Sequence, residues 1–175
     1  MFRAIAALAL ASTTAHAPST LTSAVPWWER VTVTVTDDGQ AHSCRYESSL
    51  RPNNGQDCAV VANGAATAEG AGAKDQYTRI TFERRFSPGA APDTAAPQAG
   101  ETLLGGRVMA LAIDAKGAVK GCRVVATSGS MAPQYGCDDL AAERFEASAS
   151  SARAPMVSRE GTMTILVYGH SEHIV

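Results

Sequence analysis

Residues 106–129, GRVMALAIDAKGAVKGCRVVATSG, read as two strands about one turn. Met109, Leu111 and Ile113 alternate with Val108, Ala110 and Ala112, the two-residue period of a strand whose faces differ. Asp114-Ala115-Lys116-Gly117 supplies turn residues, with Gly117 able to take a positive φ. Val119 to Ala126 resumes extended character and carries Cys122, and Ser128-Gly129-Ser130 ends it.

The same arrangement stands upstream. Val31, Val33 and Val35 alternate with threonines between Arg30 and Thr36, Asp37-Asp38-Gly39-Gln40 forms a turn, and Ala41 to Ser49 is a partner strand carrying Cys44. In both places a Cys-Arg pair begins five residues after the turn glycine, Gly39 to Cys44-Arg45 and Gly117 to Cys122-Arg123. The next cysteine follows fourteen residues later at Cys58 and fifteen later at Cys137. The chain therefore holds two copies of one unit.

Each copy closes with a further alternating strand. In the first copy Thr78, Ile80 and Phe82 share one face of residues 77–86. In the second, Met163, Ile165 and Val167 lie opposite Thr164, Leu166 and Tyr168. Before the last strand of the second copy, Pro133 to Ala149 spaces Cys137, Ala141 and Phe145 as the face of an amphipathic helix. The first copy has at most a short helix after Cys58, then Asn63-Gly64 and a loop rich in glycine and alanine. The expected fold class is α+β: two tandem ββαβ modules, each a three-stranded antiparallel sheet packed by one helix.

Domain boundaries follow from composition. Residues 1–17, MFRAIAALALASTTAHA, combine Arg3, a short apolar run and an Ala15-His16-Ala17 site, the pattern of a cleavable signal peptide. The run is too short to span a bilayer as a helix. Residues 18–28 form a flexible lead, 29–86 the first module, 87–104 a linker rich in proline, alanine and glycine, and 105–175 the second module. Export makes an oxidising, periplasmic setting the expectation, and there an even set of cysteines reads as disulfides. Four cysteines admit three connectivities. The repeat selects Cys44 with Cys58 and Cys122 with Cys137. A net charge of −2 offers no basic footprint for nucleic acid.

No reactive constellation stands out. His170-x-x-His173 lacks a third metal ligand nearby, and His42 has no evident partner. Asp138-Asp139 suit the first turns of a helix, while Asp37, Asp38 and Asp114 are turn formers. Ser128-Gly129-Ser130 lacks the nucleophile-elbow pattern. Trp27-Trp28 reads as a pair capping the core beside the first strand. Neither a cofactor nor a metal is expected.

Gly106-x-Val108, Ile113-Asp114, Gly117, Val119, Val124, Thr127-Ser128-Gly129, Arg144-Phe145 and the last apolar strand together resemble the TonB C-terminal domain family. The likeness covers residues 105–168, with a degenerate second copy at 29–86. The resemblance implies a non-enzymatic protein-binding module. Its partner would be a TonB-dependent outer-membrane receptor or another envelope protein, with an extended segment joining the sheet as an added strand. The matching edge is Thr162 to Tyr168, presenting Thr162, Thr164, Leu166 and Tyr168, unless that strand lies inside a sheet or under the first module. A transducer of this family also needs a membrane anchor and a long proline-rich spacer, so energy transduction itself is not expected. The alternatives are a small secreted enzyme with a site between the modules and a structural envelope protein.

Overall fold

The computed structural model describes residues 25–35, 41–50, 55–58, 78–92, 96–146 and 158–171. The expected signal peptide, the turn at Asp37 to Gln40, the short helix after Cys58, the loop at Asn63-Gly64 and His173 lie outside the described residues. The elements are β1 (Trp27–Val35), β2 (Ala41–Ser48), β3 (Gln56–Asp57), β4 (Arg79–Pro88), β5 (Glu101–Ile113), β6 (Val119–Gly129), α1 (Cys137–Ala142) and β7 (Arg159–His170).

These strands make one sheet, in the order β3-β2-β1-β4-β7-β5-β6, with every neighbouring pair antiparallel. The expected pair of separate ββαβ modules is thereby corrected. The last strands of the two repeats, β4 and β7, pair with each other over ten residues and fuse both copies into a single sheet. The sequence of each copy specifies its own strands, but not that the final strand has a second free edge satisfied by its counterpart.

The helix is also shorter than its periodicity suggests. It ends at Ala142, and residues 147–149 of the expected helix lie outside the described ones. Glu143 is extended, at φ −77° and ψ 159°, Arg144 bridges to Ala118, and the Phe145 N–H donates to the Gly117 carbonyl at 2.8 Å. Tertiary bonds thus take over from helical ones after only six residues.

Alternation in the strands gives the sheet one apolar and one polar face. On the apolar face Trp27, Phe86, Met109, Leu111, Ile113, Met163 and Ile165 form the core, closed by Leu140 of α1 and by Phe145. The Phe86 ring lies 5.9 Å from Trp27 and 4.9 Å from Phe145. Gly161 leaves the space this ring needs, since a Cβ there would sit 2.5 Å from Phe86 Cε2. Both disulfides form as the repeat selected, Cys44 with Cys58 and Cys122 with Cys137.

The expected linker, residues 87–104, overlaps the sheet at both ends. Ser87 and Pro88 end β4, and Glu101 to Leu104 begin β5. The chain leaves β4 beside Gly161 and enters β5 beside His170, at opposite ends of β7. At one end the Gly89 carbonyl accepts from Thr162 Oγ1 at 3.0 Å, and at the other a Cβ on Gly100 would lie 2.7 Å from the His170 ring. Both of those side chains are on the polar face, so Gly89 and Gly100 lie at that face. Thr162, Thr164 and Tyr168 are buried although they point away from the core.

Candidate functional site

The strand expected to present a free edge does not have one. β7 sits between β4 and β5, and Thr162, Thr164, Leu166 and Tyr168 have partners on both sides: Thr162 faces Ser87 and Ala110, Leu166 faces Glu83 and Gly106. Its backbone is committed to the sheet interior, so the assignment of these four residues as a partner-binding edge is corrected.

The edges of the sheet are β6 on one side and β2 with β3 on the other. They can be compared because the registers reveal an approximate two-fold relation. Val33 pairs with Cys44 and Ile80, while Leu111 pairs with Cys122 and Gly161. Continuing these equivalences along the strands makes Arg84 the counterpart of Ile165, and those two residues pair with each other. The pseudo-axis therefore passes between β4 and β7 at that position. It relates β1 to β5, β2 to β6 and β4 to β7.

Around the axis, on the apolar face, the row Glu29, Arg84, Ile165, Arg107 crosses four strands. Arg84 Nε donates to Glu29 at 2.5 Å, and the guanidinium also bonds the Glu143 carboxylate and, at 3.2 Å, the Tyr135 hydroxyl. Tyr135 donates to Glu143, and Tyr46 donates to Glu29 at 2.7 Å. Arg84 also lies 5.5 Å from the Trp27 and Tyr135 ring centres, a double cation–π contact. Burial alone would lower the Arg84 pKa, but the carboxylates of Glu143 and Glu29 outweigh it and hold the guanidinium charged. Burial raises the Tyr135 phenol, and the adjacent Glu143 raises it further. This network ties the first repeat to the segment on either side of α1. It holds these elements in place.

The polar face carries a second cluster. The Glu83 carboxylate, fully shielded, accepts from Arg30 at 2.8 Å and 2.5 Å and from Arg85. Arg30 lies 5.6 Å from the Trp28 ring. Of the two tryptophans expected to cap the core, Trp27 is buried in it, whereas Trp28 is half-buried on the opposite face.

The remaining sequence candidates are structural. Asp139 accepts from the Gly136 N–H at 2.7 Å and caps α1. Asp114 accepts from the Lys116 and Ala118 N–H groups at 2.8 Å and 2.9 Å, and these bonds, led by that of Ala118, lower its pKa. His42 is exposed on β2, and His170 ends β7. No group of three or more metal-ligating side chains occurs among the described residues. The last strands of the two repeats, β4 and β7, pair directly with each other.

That leaves β6, which sequence reasoning passed over as the support of a hairpin. From Arg123 to Ser130 every residue is exposed, and Val124 and Val125 are 48% and 45% exposed. A bulge lets Met109 pair with Val124 and Val108 with Ala126, so Val125 has no partner on β5. Among the described residues no strand pairs with the outer side of β6. The signal available in the sequence was Val124-Val125 itself, two apolar residues where strict alternation would place one. No protein-family model, curated protein or solved structure matches the chain.

Proposed function

We propose that this chain is an exported, non-enzymatic protein-binding module that accepts an extended segment of an envelope or outer-membrane transport protein as an added strand along β6. The observation that carries the reading is the exposed outer edge from Arg123 to Gly129, which no strand among the described residues pairs, with its two exposed valines. Such an edge gains main-chain hydrogen bonds and apolar burial when an extended chain joins it. The likeness of residues 105–168 to the TonB C-terminal family supports strand addition as the mode. The two disulfides fit an oxidising compartment. Isotope-labelled protein titrated with plug-region peptides of outer-membrane transporters should show amide shifts concentrated on Arg123 to Gly129. Binding that leaves those amides unmoved, or no binding to any such peptide, removes the proposal.

A further inference from the structure

We infer that the segment accepted by β6 runs antiparallel to it and carries a carboxylate opposite Arg123. The inference rests on the strand-addition reading above and adds the orientation and chemistry of the occupant. Its basis is a place where the two repeats differ. Under the pseudo-two-fold relation Arg45 corresponds to Arg123, Tyr46 to Val124, and Cys58 to Cys137. In the first repeat the residues just before the second cysteine form β3 and add to the outer edge of β2. Arg45 stands opposite Asp57 and Tyr46 opposite Gln56. The Cys58 N–H then donates to the Cys44 carbonyl at 3.0 Å.

The corresponding residues of the second repeat, Tyr135-Gly136, go elsewhere. The Tyr135 carbonyl accepts from Arg107 at 3.0 Å, its hydroxyl joins the Arg84 network, and Gly136 opens α1. No described residue takes the position beside β6 that β3 takes beside β2. The chain's own other edge takes an antiparallel strand there, with Asp57 at the register position opposite Arg45; the Arg45 guanidinium itself pairs with Glu47 of β2 at 3.3 Å, a carboxylate for which β6 has no counterpart. Directly opposed side chains on an antiparallel pair share a face and interact, opposite charges favourably. β6 contains Lys120 and Arg123 and no acidic residue. The nearby Asp114 carboxylate is engaged by the Lys116 and Ala118 N–H groups and by Lys120 at 3.6 Å. An incoming carboxylate therefore meets an exposed cation without an acidic competitor on the strand. The residue preceding it in the occupant, the counterpart of Gln56, lies against Val124, where an apolar side chain adds burial.

Two eight-residue probes test this with the intact exported protein: Thr-Val-Thr-Glu-Val-Thr-Val-Thr and the same peptide with lysine in place of glutamate. The glutamate probe should bind about two- to fivefold more tightly, with amide shifts on Arg123 to Thr127. Arg123→Glu should reverse the order. A nitroxide on the probe's N-terminus should broaden Thr127 to Gly129 and spare Val119 to Gly121. Equal binding of both probes at β6 overturns the carboxylate and leaves strand addition standing. Broadening at Val119 overturns the antiparallel orientation. Absence of shifts on β6 with either probe overturns strand addition and this inference together, and so does a dimer paired through β6 in sedimentation runs without peptide.

Discussion

Arg84 and Ile165 stand directly opposite each other on β4 and β7, at the position where the second repeat maps onto the first. One half contributes a cation there and the other an aliphatic side chain, so the cation at the centre of the polar network has no counterpart across the axis. The network gathers Glu29 and Tyr46 from the first repeat and Tyr135 and Glu143 from the second.

Arg84→Met should therefore destabilise the fold by about 2–4 kcal/mol, because it leaves two partly buried carboxylates without their cation. Adding Glu29→Gln and Glu143→Gln should recover a large part of the loss. Urea unfolding of the single and triple variants measures both; equal stability of the two would show that the carboxylates do not depend on Arg84.

Stability should hold up to about pH 10 and fall above it. The Tyr168 phenol is raised by burial and then by Glu83, and that of Tyr135 by burial and then by Glu143. A phenol whose folded pKa exceeds its unfolded one contributes stability that is complete below the unfolded value and is lost as pH rises through the folded one. Absorbance at 295 nm should show part of the tyrosine signal appearing only with unfolding, and the Tyr135→Phe/Tyr168→Phe variant should lose most of the alkaline dependence. Early ionisation of every tyrosine in the folded protein would contradict the burial argument.

Replacing Cys122 and Cys137 together by serine should cost about 3 kcal/mol, as expected for a closed loop of this length. Amide exchange should rise in α1 and along the first half of β6, while β1 and β4 stay protected. A variant whose α1 amides exchange as slowly as in the parent would show that Leu140 burial alone fixes the helix.

Gly117→Ala should cost about 2 kcal/mol or more. Gly117 has φ +84°, and a Cβ would sit 1.9 Å from the Phe145 carbonyl oxygen. The same change at Gly89, which also has φ +84° but nothing within 4 Å, should cost less. Thermal melts of the two variants compare strain with and without a clash.

What the sequence revealed was local. The Gly-to-Cys spacing repeated in both halves was enough to pair Cys44 with Cys58 and Cys122 with Cys137, because equivalent positions in a duplicated unit meet equivalent partners. The alternation of Met109, Leu111 and Ile113 placed three core residues correctly on one face. Long-range matters were hidden. Nothing in Thr162 to Tyr168 says that its free side is met by residues 79–88, so an interior strand was read as an edge. The helix was overextended since the pull of Arg84 on Glu143 and of Gly117 on Phe145 comes from elements far away in sequence. Gly105-Gly106 hid the fact that β5 begins at Glu101, because glycines mark turns more often than strand interiors.

Under the proposed strand addition, the difference between the two outer strands also bears on how many segments the molecule would hold. A symmetric dimer of either repeat would expose two identical edges, and edges that pair can propagate from one assembly to the next. Here β3 and Cys58 occupy the middle of the β2 edge, from Cys44 to Tyr46, leaving only short runs on either side. The opposite edge keeps its long exposed run. Under the proposed strand addition, the described residues offer one long acceptor edge, suited to capturing a single segment without seeding a fibre.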